Sequence, residues 1–448
     1  MPEIKTIAKG TQDQEARQRV SFILKRANQM RTAKLGYSSR WEEYERIFHM
    51  FEEARQGEDL WRANLPDTWG YATVKTASAA FADSKVEPLI VRHEKDPTTR
   101  ARDLKDLYID IAEKGALEME LYLARYDAYK LGTGFIKTVY VEDKRTVQEI
   151  TSFDPESGEI KYKEKEIKDF DDVKTVRVSP YFMLVDEMAR FDPDSARDLI
   201  EIEVLGNETA KQRYADLIGG AAAWDKKVPK VGMVKMALEQ AQAAKTAVTS
   251  SSQVKRGPSV VENRFFAPIE LAEDAVEILH YWNREQDTYE RIANGEPLKV
   301  KTSRDPSPIP FIHKQIPYTP IRYSTYSGDE YWGAGIIEVA KAEIKAIRQH
   351  REMMSDRQKL SLFSPAFSDP GAEIDQRMFR LRPMLVIPSR GGVPHQWQIP
   401  GISNADHALV QNYEESLKRA TGIDERVLGS SPDRLRLTAT EINTLREF

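Results

Sequence analysis

Asp127-Ala128-Tyr129-Lys130-Leu131-Gly132-Thr133-Gly134-Phe135-Ile136-Lys137 changes periodicity in its middle. Up to Leu131, apolar residues at 117, 121, 124, 128 and 131 (Leu, Leu, Ala, Ala, Leu) share one stripe of a helix. Gly132 stands where the stripe stops, as a left-handed C-cap requires. Phe135 to Val141 is rich in β-branched and aromatic residues and reads as a strand. A helix passing through Gly-Thr-Gly into a strand predicts a mixed, α+β chain.

Outward from this junction the two halves differ in texture. On the N-terminal side, Ser39-Arg40-Trp41-Glu42 has the form of a capping box. Trp41, Tyr44, Phe48 and Phe51 follow on one face, with Gly57 as a stop. On the C-terminal side, Val147 to Ile167 reads as a hairpin around Asp154-Pro155-Glu156-Ser157-Gly158. Strands are expected at Val173 to Val178, Tyr181 to Val185 and Leu199 to Val204. Val231 to Val248 suits a helix with small side chains, and Ser250-Ser251-Ser252 a linker. Val276 to Trp282 and Asp287 to Ile292 are further strands, the second closed by the turn pair Asn294-Gly295. The stretch from Pro306 to Pro320 is dense in proline. A long helix is expected from Gly335 to Leu360, with Ile337, Ala340, Ile344 and Ile347 inward. Ser403-Asn404-Ala405-Asp406 caps a last helix carrying Leu409, Tyr413, Leu417 and Ala420 and ending at Gly422.

Composition narrows the chemistry. The 448 residues suffice for two to four structural units, at roughly 100–200 residues each. A net charge of −5 excludes a surface that is basic throughout. The absence of cysteine excludes disulfides, thiolate metal sites and thiol catalysis. No apolar run approaches the roughly 18 residues that span a bilayer, so no membrane partner is expected, and a reducing, soluble compartment is.

The candidate catalytic patterns fail on inspection. Gly132-Thr133-Gly134 lacks the third glycine of a dinucleotide site and lies in helix–strand rather than strand–helix order. Asp192, Asp194, Asp198 and Glu203 imitate a calcium loop, but Arg197 occupies the position that needs glycine and Pro193 stiffens the second. A turn with a cap is expected there. The seven histidines show no metal-ligand spacing. No phosphate-binding loop or nucleophile elbow is present. No enzyme activity, cofactor or metal is therefore expected.

Two basic clusters remain. Lys341, Lys345 and Arg348 share one face of the long helix, a stripe suited to phosphate contact. The competing reading is a solvated face, or ion pairs with Glu338, Glu343 and Glu352. Arg377, Arg380, Arg382 and Arg390 follow in an irregular segment, where solubility or pairing with a neighbouring subunit would also account for them.

Taken in order, these segments resemble the portal proteins of tailed bacteriophages. The 127–137 junction resembles the helix-to-strand passage of the portal wing. Val178-Ser179-Pro180-Tyr181-Phe182 and Asp192-Pro193 resemble the strand and turn that follow. Ile309-Pro310-Phe311, then Tyr331-Trp332-Gly333-Ala334-Gly335 and a long helix, are similar to the passage from clip to stem. Thr438-Ala439-Thr440-Glu441-Ile442 matches an element near the C-terminal part of many portals. The N-terminal 60 residues match no family element.

The resemblance implies a wing region over 1–230, a first stem helix and clip over 231–335, and a second stem helix with a tunnel-loop-like segment over 336–401. Residues 402–448 would be C-terminal wing helices, with further helices and a crown expected beyond Phe448. It implies a dodecameric homo-oligomeric ring at one capsid vertex of the virion, assembled in the host cytoplasm. Its partners would be double-stranded DNA, bound without sequence preference, the terminase large subunit, the major capsid or scaffold protein, and a head-completion adaptor. Lys341, Lys345 and Arg348 would lie beside the DNA channel, and Arg377, Arg380, Arg382 and Arg390 in the tunnel loop. Competing readings are another head–tail connector or scaffold-associated protein, and a metal-dependent nuclease.

Overall fold

The computed structural model describes residues 3–52, 55, 57–82, 98–153, 160–228, 275–299, 307–363, 366–368, 383, 386–388 and 399–422. The expected helix over 231–248, the hairpin turn at 154–158 and the Thr438–Ile442 element lie outside them. The chain is α+β and divides into two compact units. The first comprises Met1–Ser39, Ala82–Ala128 and Gly132–Ala334; the second comprises Arg40–Phe81, Tyr129–Leu131 and Gly335–Phe448.

The first unit is built on a five-stranded antiparallel sheet. Its strands are β3 (Met183–Val185), β4 (Asp198–Gly206), β5 (Ala275–Asn283), β6 (Thr288–Ala293) and β7 (Glu296–Lys299), lying side by side in that order. The two-residue period of β5 decides which face each side chain serves. Leu279 and Tyr281 pack with Leu184, Ile200 and Ile292 against Val20, Ile23, Ala27 and Met30 of helix α1 (Glu3–Phe48). Val276 and Ile278 pack the other way, against Ala210 and Ala215 of α5 (Asn207–Ile218) and Trp224 of α6 (Ala221–Lys227). Burial of an Ile23 or Met30 side chain contributes about 1.5–3 kcal/mol.

Charged residues set the register of α1 on this sheet. Arg19 pairs with buried Glu290 at 3.0 Å and Arg31 with buried Glu277 at 2.6 Å. Arg26 reaches Asp186 at 2.6 Å, Glu187 at 2.8 Å and Asp198 at 2.9 Å. The Lys34 ammonium donates to the carbonyls of Pro180, Tyr181 and Met183 at 2.7–2.8 Å. Burial pushes the Glu277 and Glu290 carboxyls up and the Lys34 ammonium down.

A second sheet in this unit has order β2-β1-β8, from β1 (Thr133–Phe153), β2 (Ile160–Val178) and β8 (Tyr318–Arg322). It follows α3 (Thr98–Lys114) and α4 (Leu117–Leu131). The stripe Ala124, Ala128 and Leu131 is buried, and Gly132 caps α4 with φ 97°. Asn294 and Gly295 both have positive φ, as the tight β6–β7 hairpin requires. The Asp192 carboxylate caps the short helical turn Pro193–Ser195 by accepting from the Asp194 N–H, the turn-with-cap expected there.

The second unit is helical. Residues 40–48 of α1, with α2 (Trp69–Ala82), α7 (Ile336–Leu362) and α8 (Asn404–Thr421), supply its core. Ala340, Ile344 and Leu417 pack with Ile47 and Trp69, and Ile337, Ile347, Trp41, Tyr44 and Phe48 are buried as their spacing predicts. Ser403 and Asp406 form the expected capping box, and Gly422 is left-handed. A short parallel pair, β9 (Ala366–Ser368) and β10 (Val386–Pro388), also belongs here.

Several expectations are corrected. Ser39 caps nothing: it lies inside α1, and its hydroxyl bonds the Leu35 carbonyl one turn back. The helix stops at Phe48, before Gly57. The strand pieces at 160–167 and 173–178 are one continuous β2. Pro180–Phe182 is a helical turn, leaving only three residues for β3, because proline has no N–H for a ladder. On α8, Leu409 and Ala420 are exposed while Leu417 faces the core.

Candidate functional site

The segments that carried the sequence argument meet in the first unit. Thr133 is fully buried, and its hydroxyl accepts the Gly333 N–H at 2.8 Å. The Gly132 carbonyl accepts the Tyr323 N–H at 3.3 Å. A Cβ at Gly132 would strike the Gly333 carbonyl, and one at Gly333 would strike the carbonyls of Gly132 and Ser324. Only glycines permit so close a backbone approach. Phe135 stacks on Tyr331 at 6.4 Å between ring centres and meets Trp332 edge-on at 5.8 Å. The Trp332 ring also lies 5.5 Å from the Lys34 ammonium. The 132–135 and 331–334 segments therefore form one built junction.

The basic stripe lies in the second unit, and the structure does bring its three residues together. Lys341 and Lys345 share one carboxylate, Glu43 of α1; the Lys341 distance is 3.6 Å and the Lys345 pair is closer. Arg348 pairs with Glu52 and, at 3.7 Å, with Glu352. Lys341 also lies over the Tyr44 ring at 5.4 Å. The hydrogen bond from Lys345, and then the two lysine charges, hold Glu43 below the usual carboxylate range. Of the acids expected as partners, only Glu352 takes part, while Glu43 and Glu52 come from elsewhere in the chain. Half-exposed pairs of this kind are worth about 0–1 kcal/mol each. Arg377, Arg380, Arg382 and Arg390 lie outside the described residues.

Sequence reading missed a buried polar network on the five-stranded sheet. His280 Nδ1 lies 2.8 Å from the Tyr289 hydroxyl, and Nε2 lies 2.9 Å from Glu203. Glu203 also accepts from Tyr214 at 2.7 Å, while Glu201 accepts from Lys137 and Tyr318. Burial pulls the His280 imidazole down. A neutral ring that accepts from Tyr289 and donates to ionised Glu203 satisfies both contacts. Burial opposes the Glu203 charge, but the His280 and Tyr214 hydrogen bonds outweigh it and hold the carboxyl at about 2. Each of these groups is held by its neighbours. Among the described residues, no three His, Asp or Glu side chains are grouped to hold a metal ion. No local spacing announces this network: along 276–282 the polar residues Glu277 and His280 stand three apart, on opposite faces of the strand.

No family model matches the chain, and no curated protein matches it significantly.

Proposed function

We propose that the protein is a structural subunit of the portal class: a ring-forming conduit for double-stranded DNA at one vertex of a phage capsid. The observation that carries this reading is the Thr133–Gly333 junction. Two segments far apart in the chain, each resembling a portal element, are joined through glycines that admit no other residue. The reading also draws on the shared face of Lys341, Lys345 and Arg348 along a long helix. On this view the motor that consumes ATP is a separate protein, the terminase, docked on the ring. A head-completion adaptor would take its place after filling.

Negative-stain imaging of the purified full-length protein tests the reading. Closed rings with twelvefold symmetry are expected. A stable monomer of 51.3 kDa at micromolar concentration, with scaffold protein present as well as absent, would count against it.

A further inference from the structure

We infer that two clasped loops of the first unit, Asp186–Arg197 and Tyr323–Gly333, form a two-fold contact surface for a second copy of the chain. The inference goes beyond the ring reading. Neighbours in a ring are related by its rotation axis, whereas this contact pairs two rings, or two free copies, face to face.

The first loop joins β3 to β4 and the second follows β8, and both are tied down. The Phe191 N–H donates to the Gly328 carbonyl at 3.1 Å, holding one loop to the other. The Arg322 guanidinium lies over the rings of both Phe191 and Tyr331, 4.5 and 4.7 Å from their centres. Within the first loop the Ser195 hydroxyl accepts the Arg190 N–H at 2.7 Å. Arg284 braces the same loop, reaching the Pro193 carbonyl at 3.1 Å and Asp194 at 2.9 Å. Within the second loop the Ala334 N–H donates to the Ser324 carbonyl at 2.8 Å, and the Thr325 hydroxyl to the Ser327 carbonyl at 2.6 Å. Loops so tied give up little freedom on binding.

What they hold out to solvent is large and apolar. Met188 is 77% exposed and Tyr326 68%, with Phe191 and Tyr323 also exposed beside them. Rigid Tyr, Phe, Met and Arg are the side chains that anchor protein interfaces. Ser324 and Ser327 flank Tyr326 with adaptable hydrogen-bonding groups. Seventeen residues of the two loops are not buried, approaching the roughly 20–30 a side of a standard interface.

Charge selects the partner. Counting Arg26, Lys34, Asp198, Arg284 and Arg322, which contact them, the loops gather six cations and seven acids. A nearly neutral surface neither draws a phosphate backbone nor repels its own copy. One pair on it is stretched: Arg190 and Asp329 stand 4.0 Å apart, both exposed. A two-fold axis beside Tyr326 sets each Arg190 on the Asp329 of the other copy, because an isologous contact makes every pairing twice. Two intermolecular pairs then replace two stretched ones while Tyr326, Met188 and Phe191 leave water.

Sedimentation of the purified full-length protein at micromolar concentration tests this. R190E and D329R should each lose the paired species, whether paired rings or paired copies, with melting unchanged. An equimolar mixture of the two should regain it, because both contacts of the mixed pair then join opposite signs. The pair within each chain stays broken in the mixture, so recovery there is intermolecular. Tyr326→Ser should weaken pairing about tenfold or more. A mixture that stays unpaired, or single variants that pair like wild type, would overturn the inference. Wild-type rings that never pair overturn it and leave the ring reading intact. Wild-type pairs that never form rings support it and count against the ring reading, and a wild type that stays monomeric overturns both.

Discussion

The N–H of Gly333 donates to the hydroxyl of Thr133 at 2.8 Å across 200 residues of sequence, and both residues are buried. Replacing Thr133 by Val keeps the shape and removes the acceptor. The stranded N–H should cost about 1–3 kcal/mol, read as a lower urea midpoint with an unchanged slope. Gly132→Ala should cost more, because it adds a positive-φ penalty to a collision with the Gly333 carbonyl.

Arg26 holds three carboxylates, of which Asp186 and Asp198 are buried. Arg26→Met takes the nearest cation from two buried carboxylates and leaves them only the more distant Arg197, at 3.7 and 3.8 Å, a loss of up to about 3–5 kcal/mol. Chemical denaturation of the variant checks this.

His280 is neutral in the folded chain because burial depresses its pKa, whereas in the unfolded chain it titrates near 6.5. Between those values the unfolded chain binds the extra proton, so stability contributed by this group is complete above about pH 6.5 and falls as pH drops. Wild type should therefore lose more stability between pH 7 and 5 than His280→Gln does. Denaturant midpoints measured across that range decide it, and parallel curves would place the acid sensitivity elsewhere.

Glu43 is the common counter-ion of Lys341 and Lys345. On the proposed reading, Glu43→Gln frees both cations, tightens binding of the assembled protein to linear duplex DNA and steepens its salt dependence. The triple change Lys341→Gln, Lys345→Gln and Arg348→Gln should do the reverse while costing little stability. Filter binding over a salt series tests both, and identical slopes for all three proteins would show that the stripe serves only its ion pairs with Glu43, Glu52 and Glu352.

Local patterns were legible where local physics decides the structure. The α4 stripe and its Gly132 cap, the Asn294-Gly295 turn, the inward face of α7 and the Ser403 capping box all follow from spacing and conformational preference. Distant partners were not legible. The N-terminal part of α1 carries Arg19, Arg26, Arg31 and Lys34 against buried acids and carbonyls, so its contact face reads as polar and Ser39 reads as a boundary. β8 was hidden by Pro320, which an edge position tolerates because its missing N–H is not required. Two of the acids that hold the basic stripe, Glu43 and Glu52, lie about 300 residues upstream of it, beyond any helical spacing.

The pairing of β1 with β8 bears on the order in which the chain becomes structured. The β1–β2 ribbon closes from neighbouring sequence, but the Phe135 edge of β1 waits for Tyr318–Arg322. Contacts of such long sequence separation form slowly. During synthesis the ribbon therefore leaves the ribosome with an uncovered strand edge, and α1 precedes every strand of the sheet that neutralises its arginines. That interval is when edge-to-edge aggregation competes most strongly with folding. A chain cut before Tyr318 would remain in it, which makes co-expression yield of such truncations, with and without a chaperone, a direct measure of how long the interval lasts.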